Sequence, residues 1–289
     1  MDRLLEEKLF KLLMIISLAI VIGSLFLVVA VVVWNGAPAL SLNMITQTPK
    51  GGYYLGGSEG GILNAIVGSL YLAFGSMLLA LIISLPAALA LQKDYIGKTK
   101  AAYYIRLSLD VLWGTPSIVY GAFGFIVMLA IYQYTGIKIG TSLLAGIVVL
   151  TLLQLPIMIR GMEEVIRMVP NELKEASYTL GATRLETTGN VVIKQALPGI
   201  VTAVLLAFGR GIGDAASILL TAGYTSNLPG SLFEPVASLP LAVFFLLGMP
   251  FPEVQQRAYA SALILLLIVL ALSIAARALS KKFMKNIIR

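Results

Sequence analysis

The chain is 289 residues long, 58% hydrophobic and 12% charged, with a mean hydropathy of +0.92; soluble domains carry roughly 25% charge, so this is an integral membrane protein. At about 20 apolar residues per crossing it holds six or seven helices and no separate soluble domain. Cysteine and histidine are both absent, which excludes thiolate nucleophiles, disulfides, Cys or His metal sites and imidazole acid–base chemistry. The net charge of +7 lies beside hydrophobic runs, where basic residues fix orientation, and so does not point to nucleic acid.

In chain order, Leu12 to Trp34 is an uncharged run behind Lys8 and Lys11, and reads as the first span. It is longer than the roughly 7–15-residue core of a signal peptide, so an uncleaved anchor is expected despite the Ala37-Pro38-Ala39 that follows. A glycine-rich stretch at 51–61 reads as a flexible external loop. The second span, Ile62–Leu91, contains Pro86, which bends it. Gly97-Lys98-Thr99 has the tail of a phosphate-binding loop, but Gln92 stands where the leading glycine belongs and no strand precedes it, so it is not a nucleotide site. A third span is expected over about 107–132, with Asp110 snorkelling near its start and Gly114 and Pro116 kinking it, and a fourth over 141–159.

Residues 160–194 form a charged island between hydrophobic spans. Pro170 is followed by Asn171 as a candidate N-cap, with Glu172 and Glu175 early in the helix, where the dipole favours negative charge. Leu173, Ala176, Ser177 and Leu180 then recur at i, i+3, i+4 and i+7, and the helix is expected to end at Gly181. Two readings of this island stand: a solvated connector lying on lipid, or a handle seated in a protein groove. Its mixed charge suits the groove better than an anionic bilayer.

The fifth span is expected at 196–223 and contains Arg210, an expensive residue within the hydrocarbon region. Asp214 lies four residues on. The two form either a neutralising intrahelical pair that lets the span insert, or a pathway site in which the guanidinium fork meets oxyanion oxygens while Asp214 limits the affinity. Gly209, Gly211 and Gly213 allow close helix packing or exposed backbone N–H groups. A short apolar piece at 236–248, interrupted by Pro240, reads as re-entrant or interfacial, and the sixth span is expected at 258–276. Seventeen of the 21 Lys and Arg fall in the N-terminus, in 92–106, in 160–194 and in the tail from Arg277, whereas the opposite face has only Lys50, Lys138 and Arg257. Both termini and the island are therefore expected in the cytosol. One all-α transmembrane domain over 1–289 accounts for the chain.

Glu175-Ala176-Ser177, three residues and then Gly181 resemble the EAA loop of permease subunits of ABC importers, although Val191, Val192, Ile193 and Lys194 stand where that loop has an I-x-L-P ending and Leu197-Pro198 comes four residues late. The segment from Pro116 to Gly121, PSIVYG, resembles its counterpart in phosphate-specific permeases. The segment from Gly209 to Ala215 resembles their R-x-x-G-E segment, with Asp214 in place of Glu. The likeness covers nearly the whole chain and is closest to the A-type permease of bacterial phosphate importers. It implies a type I ABC importer permease fold, with 171–186 as the coupling helix and Leu173, Glu175, Ala176, Ser177 and Gly181 meeting an ATPase. It also implies a substrate path at Arg210, Asp214, Ser117 and Tyr120. The chain itself would bind no cofactor; ATP and magnesium would sit on two partner ATP-binding subunits. A C-type permease would complete a heterodimer in the bacterial inner membrane, and an extracytoplasmic phosphate-binding protein would deliver cargo. The alternatives are a permease for sulfate, molybdate or phosphonate, and an ion-coupled carrier using Arg210 and Asp214 as a charge relay.

Overall fold

A computed structural model describes residues 3–50, 60–136 and 140–284; most of the glycine-rich loop expected at 51–61, and Lys138, lie outside these. Among the described residues the regular elements are helices, with one isolated β-bridge between Pro49 and Gly60. Six helices are long and apolar enough to cross a membrane. They lie in α1 (Arg3–Gly36), α3 (Leu63–Ala90), α5 (Ser117–Thr135), α6 (Leu143–Arg167), α9 (Ile193–Ile212) and α11 (Pro252–Met284), and the span that includes α9 begins at Arg184. Shorter helices connect them: α2 (Leu42–Thr46), α4 (Lys100–Gly114), α7 (Asn171–Thr179), α8 (Arg184–Thr187) and α10 (Leu239–Leu247).

Two expected spans are corrected. The run expected at 107–132 is broken, because Thr115, standing before Pro116, takes an extended backbone (φ −74°, ψ 131°) that a helix cannot continue through. α4 therefore stops at Gly114 and α5 starts afresh at Ser117. The span expected at 196–223 ends instead at Ile212, and 213–223 is a chain of turns closing on Gly223 at φ +83°. Asp214 explains the stop, since its Oδ1 accepts from the backbone N–H of Ser217 at 2.8 Å and competes with helical hydrogen bonding.

Smaller differences have simple causes. The outer spans run past their expected limits because charged residues such as Lys, Glu and Arg are good helix formers. α9 is continuous with α8 through a π turn at Thr188–Val192. With Lys194 in place of the proline of the EAA ending, nothing breaks the chain there, and one wide turn absorbs the register. Asn171 is the first helical residue of α7 and not its cap; Pro170 precedes it without a side-chain cap bond. Pro240 does not interrupt α10, because it lies in the first turn, where its missing N–H has no partner to lose. Ser238 caps that helix by accepting from Leu241 N. Val236, Ala237, Leu239, Leu241 and Ala242 are fully buried, whereas Phe244 and Leu247 further along the segment are exposed.

α6 is the centre of the bundle: α3 packs along one side of it and α9 along another, α11 runs against α9, and α10 packs on α11 and α3. Small residues allow the approach. A Cβ on Gly75 would reach Ile147 at 2.6 Å, one on Gly161 would reach Ala203 at 2.9 Å, and one on Gly199 would reach Val165 at 2.0 Å. The core at the α7 end is Ala80, Ala88, Met158, Met162, Ile166, Ala203 and their neighbours. α1 is peripheral, touching the bundle mainly through α11, where the backbone of Tyr259 would lie 2.7 Å from a Cβ on Gly36.

Candidate functional site

The charged island folds into two helical pieces laid against the end of the bundle. α7 ends in a tight reversal, where Gly181 adopts φ +83° and Ala182 N donates to Ser177 O at 3.2 Å. Thr183 and Glu186 form a reciprocal capping box that starts α8. Leu173 packs into the core at this end, and Ser177 Oγ lies 2.9 Å from Oγ1 of the buried Thr187, so these two of the predicted coupling residues face the bundle. Glu175 and Ala176 are exposed, and Glu175 lines a polar cavity of about 300 Å³ with Lys98, Lys174 and Tyr178. The surface offered outward includes two residues outside the predicted set, Leu180 at 89% and Leu185 at 76% exposure.

A network of ion pairs, invisible as such in the sequence, ties this platform to the spans. Lys174 Nζ donates to Asp94 Oδ2 at 2.9 Å, and Arg184 Nη1 donates to Asp94 O at 3.3 Å. Arg106 donates through Nη2 to Leu91 O at 2.7 Å and through Nη1 to Gly97 O at 3.1 Å, covering the carbonyl end of α3 with positive charge. Its Nε reaches Glu163 Oε1 at 2.7 Å. The second oxygen of Glu163 accepts from Arg160 Nη1 at 3.2 Å, and Arg160 grips Asp110 with two bonds of 3.0 and 3.1 Å. Asp110 is thus locked to α6, which corrects the expectation that it merely snorkels.

The second region lies on α9. Arg210 and Asp214 do not pair: the helix ends between them, and Asp214 is committed to Ser217 N. Among the described residues Arg210 has neither an ion-pair nor a hydrogen-bond partner. It opens into a groove of about 610 Å³ with Trp113, Arg160, Glu164, Arg167 and Leu206. Tyr120 lies within electrostatic range of that guanidinium. It is buried, and its hydroxyl donates to Leu112 O at 2.7 Å, bridging the break at Thr115-Pro116. Ser117, the first residue of α5, lines neither the Arg210 groove nor the apolar cavity beside Tyr120. Arg160, which the sequence reading left in a loop, is the residue it missed; its spacing from Glu163 and Glu164 on one helical face was the available signal.

Six bundled helices, a folded charged platform at one end and an unpartnered guanidinium at a groove define a membrane transport subunit. The pattern of the binding-protein-dependent transport system inner membrane component matches residues 90–285, and the chain belongs to that family. It is 30% identical to a probable ABC transporter permease protein, YqgI, of Bacillus subtilis over 99% of both chains. It is 32% identical to the phosphate transport system permease protein PstA of Yersinia pestis, over 93% of this chain and 89% of that one. Among solved structures, an inward-facing MetNI methionine ABC transporter superposes with a TM-score of 0.62 at 19% identity, covering 76% of this chain and 95% of the other. A bacterial importer of alginate superposes at 0.58, with 14% identity over 94% and 99%. The fold is that of a type I ABC importer permease, in a multi-pass protein of the inner membrane.

Proposed function

We propose that this chain is the permease of an ATP-driven importer that carries inorganic phosphate through the inner membrane by alternating access. The observation that carries the reading is Arg210: a guanidinium on an apolar span, without a partner in the protein, at a groove that also holds Arg160 and Arg167. Such a charge is stable there only with water or an anion beside it, and its planar fork of donors matches an oxyanion. Phosphate in particular is supported by the likeness to phosphate transport system permeases of Yersinia pestis and Haemophilus influenzae.

In this reading the α7 end faces the cytosol. Two partner subunits bind ATP and magnesium and seat against Glu175, Ala176 and the turn at Gly181, with Leu180 and Leu185 added to that surface. Leu173 and Ser177 transmit from the bundle side, and Lys174 passes movement of α7 to Asp94, whose turn is gripped at the Gly97 carbonyl by Arg106 and so tied to Glu163 of α6. A second, non-identical permease closes the other wall of the path, and a binding protein outside delivers the anion. Ser117 and Tyr120 shape the path where α5 begins, and Asp214 holds the 214–217 turn just beyond the helix end that carries Arg210.

The test is uptake of labelled phosphate by the assembled importer in liposomes with ATP inside. Arg210→Ala is expected to abolish uptake while the subunits still co-purify; loss of assembly would instead assign Arg210 to insertion. Uptake of sulfate, molybdate or phosphonate in place of phosphate would keep the class and change the cargo. Uptake that persists without ATP and collapses with the ion gradient would overturn the pump.

A further inference from the structure

Three glycines flank Arg210, and they are not equivalent. A Cβ on Gly209 would meet nothing within 4 Å, and one on Gly213 only the Gly209 carbonyl oxygen at 3.6 Å. On Gly211 it would stand 2.1 Å from Gln154 Nε2 and 2.9 Å from Gln154 Cδ, which no real Cβ tolerates. The amide of Gln154 is therefore seated directly on the backbone of the turn that bears the guanidinium.

Gln154 is itself held firmly. It is completely buried in α6, and its Nε2 donates to Ser76 Oγ on α3 at 2.8 Å. Ser76 in turn bonds Ala73 O at 3.2 Å, and Thr151, one turn before Gln154, donates to Ser76 O at 3.3 Å. Gln154 Oε1 has no partner. A side chain kept here for packing alone would be better as leucine or methionine, which bury no polar atom. The amide has a use that hydrocarbon does not serve: it is fixed at one end by α3 and presents a rigid, planar edge to α9.

We propose that Gln154 is a positioning residue, a wedge anchored on Ser76 that sets the depth and rotation of the Gly211 turn and so aims Arg210 into its groove. Gly211 is the matching notch. The pair is matched in size, so enlarging the notch residue displaces the turn, shortening the wedge lets it drift, and the two changes together offset one another. This deepens the reading of Arg210 as the pathway residue and rests on it.

The chain has no cysteine, so Arg210→Cys introduces a sole thiol whose reaction rate with a charged, membrane-impermeant methanethiosulfonate reports where position 210 points. The experiment uses membranes containing the whole chain with its partner subunits. Adding Gln154→Ser or Gly211→Ala is expected to change the labelling rate about fivefold or more, as contacting residues couple, and the double change to return it to within about twofold of the parent. If Gly211→Ala fails to fold, Gln154→Ser alone and the double variant still decide, because the wedge predicts a shift in the first and recovery in the second. Unchanged labelling with Gln154→Ser, or a double variant that stays as far from the parent rate as Gln154→Ser alone, would overturn the proposal. A thiol at 210 that does not react at all would overturn both it and the pathway reading. Labelling that behaves as expected, with no phosphate uptake by the importer in which Arg210 is intact, would leave the wedge standing and remove the assigned cargo alone. In the transport assay, Gln154→Ser with Arg210 intact is expected to raise the KM for the anion more than it lowers the maximal rate, a split that general loss of folded protein would not produce.

Discussion

At the scale of single residues the most consequential group outside the anion groove is Glu163. It is 5% exposed and accepts from two guanidiniums, those of Arg106 and Arg160, whose side chains remain about 30% exposed. Removing one partner of a buried pair usually costs about 3–5 kcal/mol; the partial exposure of both arginines brings the expected loss for Glu163→Ala down to about 2–3 kcal/mol. Glu163→Gln keeps one acceptor but turns an NH₂ toward the other guanidinium, so its loss should fall between wild type and Ala. The thermal midpoint of the purified chain in detergent reads this order directly. Equal losses for Ala and Gln would mean that the charge of Glu163 carries the whole effect and that its shape contributes nothing. The Arg160 half of this was open to a reading of helical spacing, but the Arg106 half was not, because Arg106 and Glu163 are 57 residues apart and a single chain gives no cue to such pairing. The reading of Arg210 with Asp214 failed for a different reason: i, i+4 adjacency presumes a helix, and Asp214 itself ends that helix by capping Ser217.

At the scale of elements, the turn between α7 and α8 separates backbone strain from partner contact. Gly181 sits at φ +83°, yet a Cβ there would meet nothing within 4 Å, so within this chain a substitution acts through conformation alone. Left-handed backbone costs an L-residue about 1–2 kcal/mol, less for Asn, whose short polar side chain bonds locally. If the turn must hold this shape for coupling, Gly181→Ala should lower the uptake rate of the assembled importer up to about tenfold, since 1.4 kcal/mol is a factor of ten. Gly181→Asn should stay nearer wild type. A larger defect for Asn than for Ala would show instead that a partner surface closes over this position. The charged island, the glycine turn that follows its first helix and the number of long apolar helices were all readable from charge and hydropathy. The breaks within apolar runs were harder, since hydropathy does not register a pre-proline residue such as Thr115 or an Asx turn such as that of Asp214. Both breaks lie where the anion path is placed, so the least readable backbone is also the backbone the proposed function uses most.

For the whole molecule the decisive quantity is orientation, because an ATPase can engage α7 and α8 only from the cytosol. In the proposed orientation the six spans put both termini on one side, and the end that carries α7, where the basic residues crowd, faces the cytosol as the excess of positive charge there predicts. The absence of cysteine again makes the measurement clean. Leu180, 89% exposed, lies at the α7 end, whereas Leu42 at 77% and Phe233 at 74% lie in connections at the opposite end. Each replaced singly by cysteine gives one reporter for an impermeant maleimide. In intact cells Leu42→Cys and Phe233→Cys are expected to label and Leu180→Cys to remain unlabelled. After permeabilisation Leu180→Cys should label in membranes that lack the ATPase subunits and be protected in membranes that contain them. That protection ties orientation to coupling, since a connector lying on lipid at the cytosolic face would label equally with and without an ATPase. Labelling of Leu180→Cys from outside intact cells would place the island beyond the reach of any cytosolic motor, and the two ion pairs would then serve only as braces, Lys174–Asp94 holding α7 to the turn after α3 and Arg106–Glu163 holding α4 to α6.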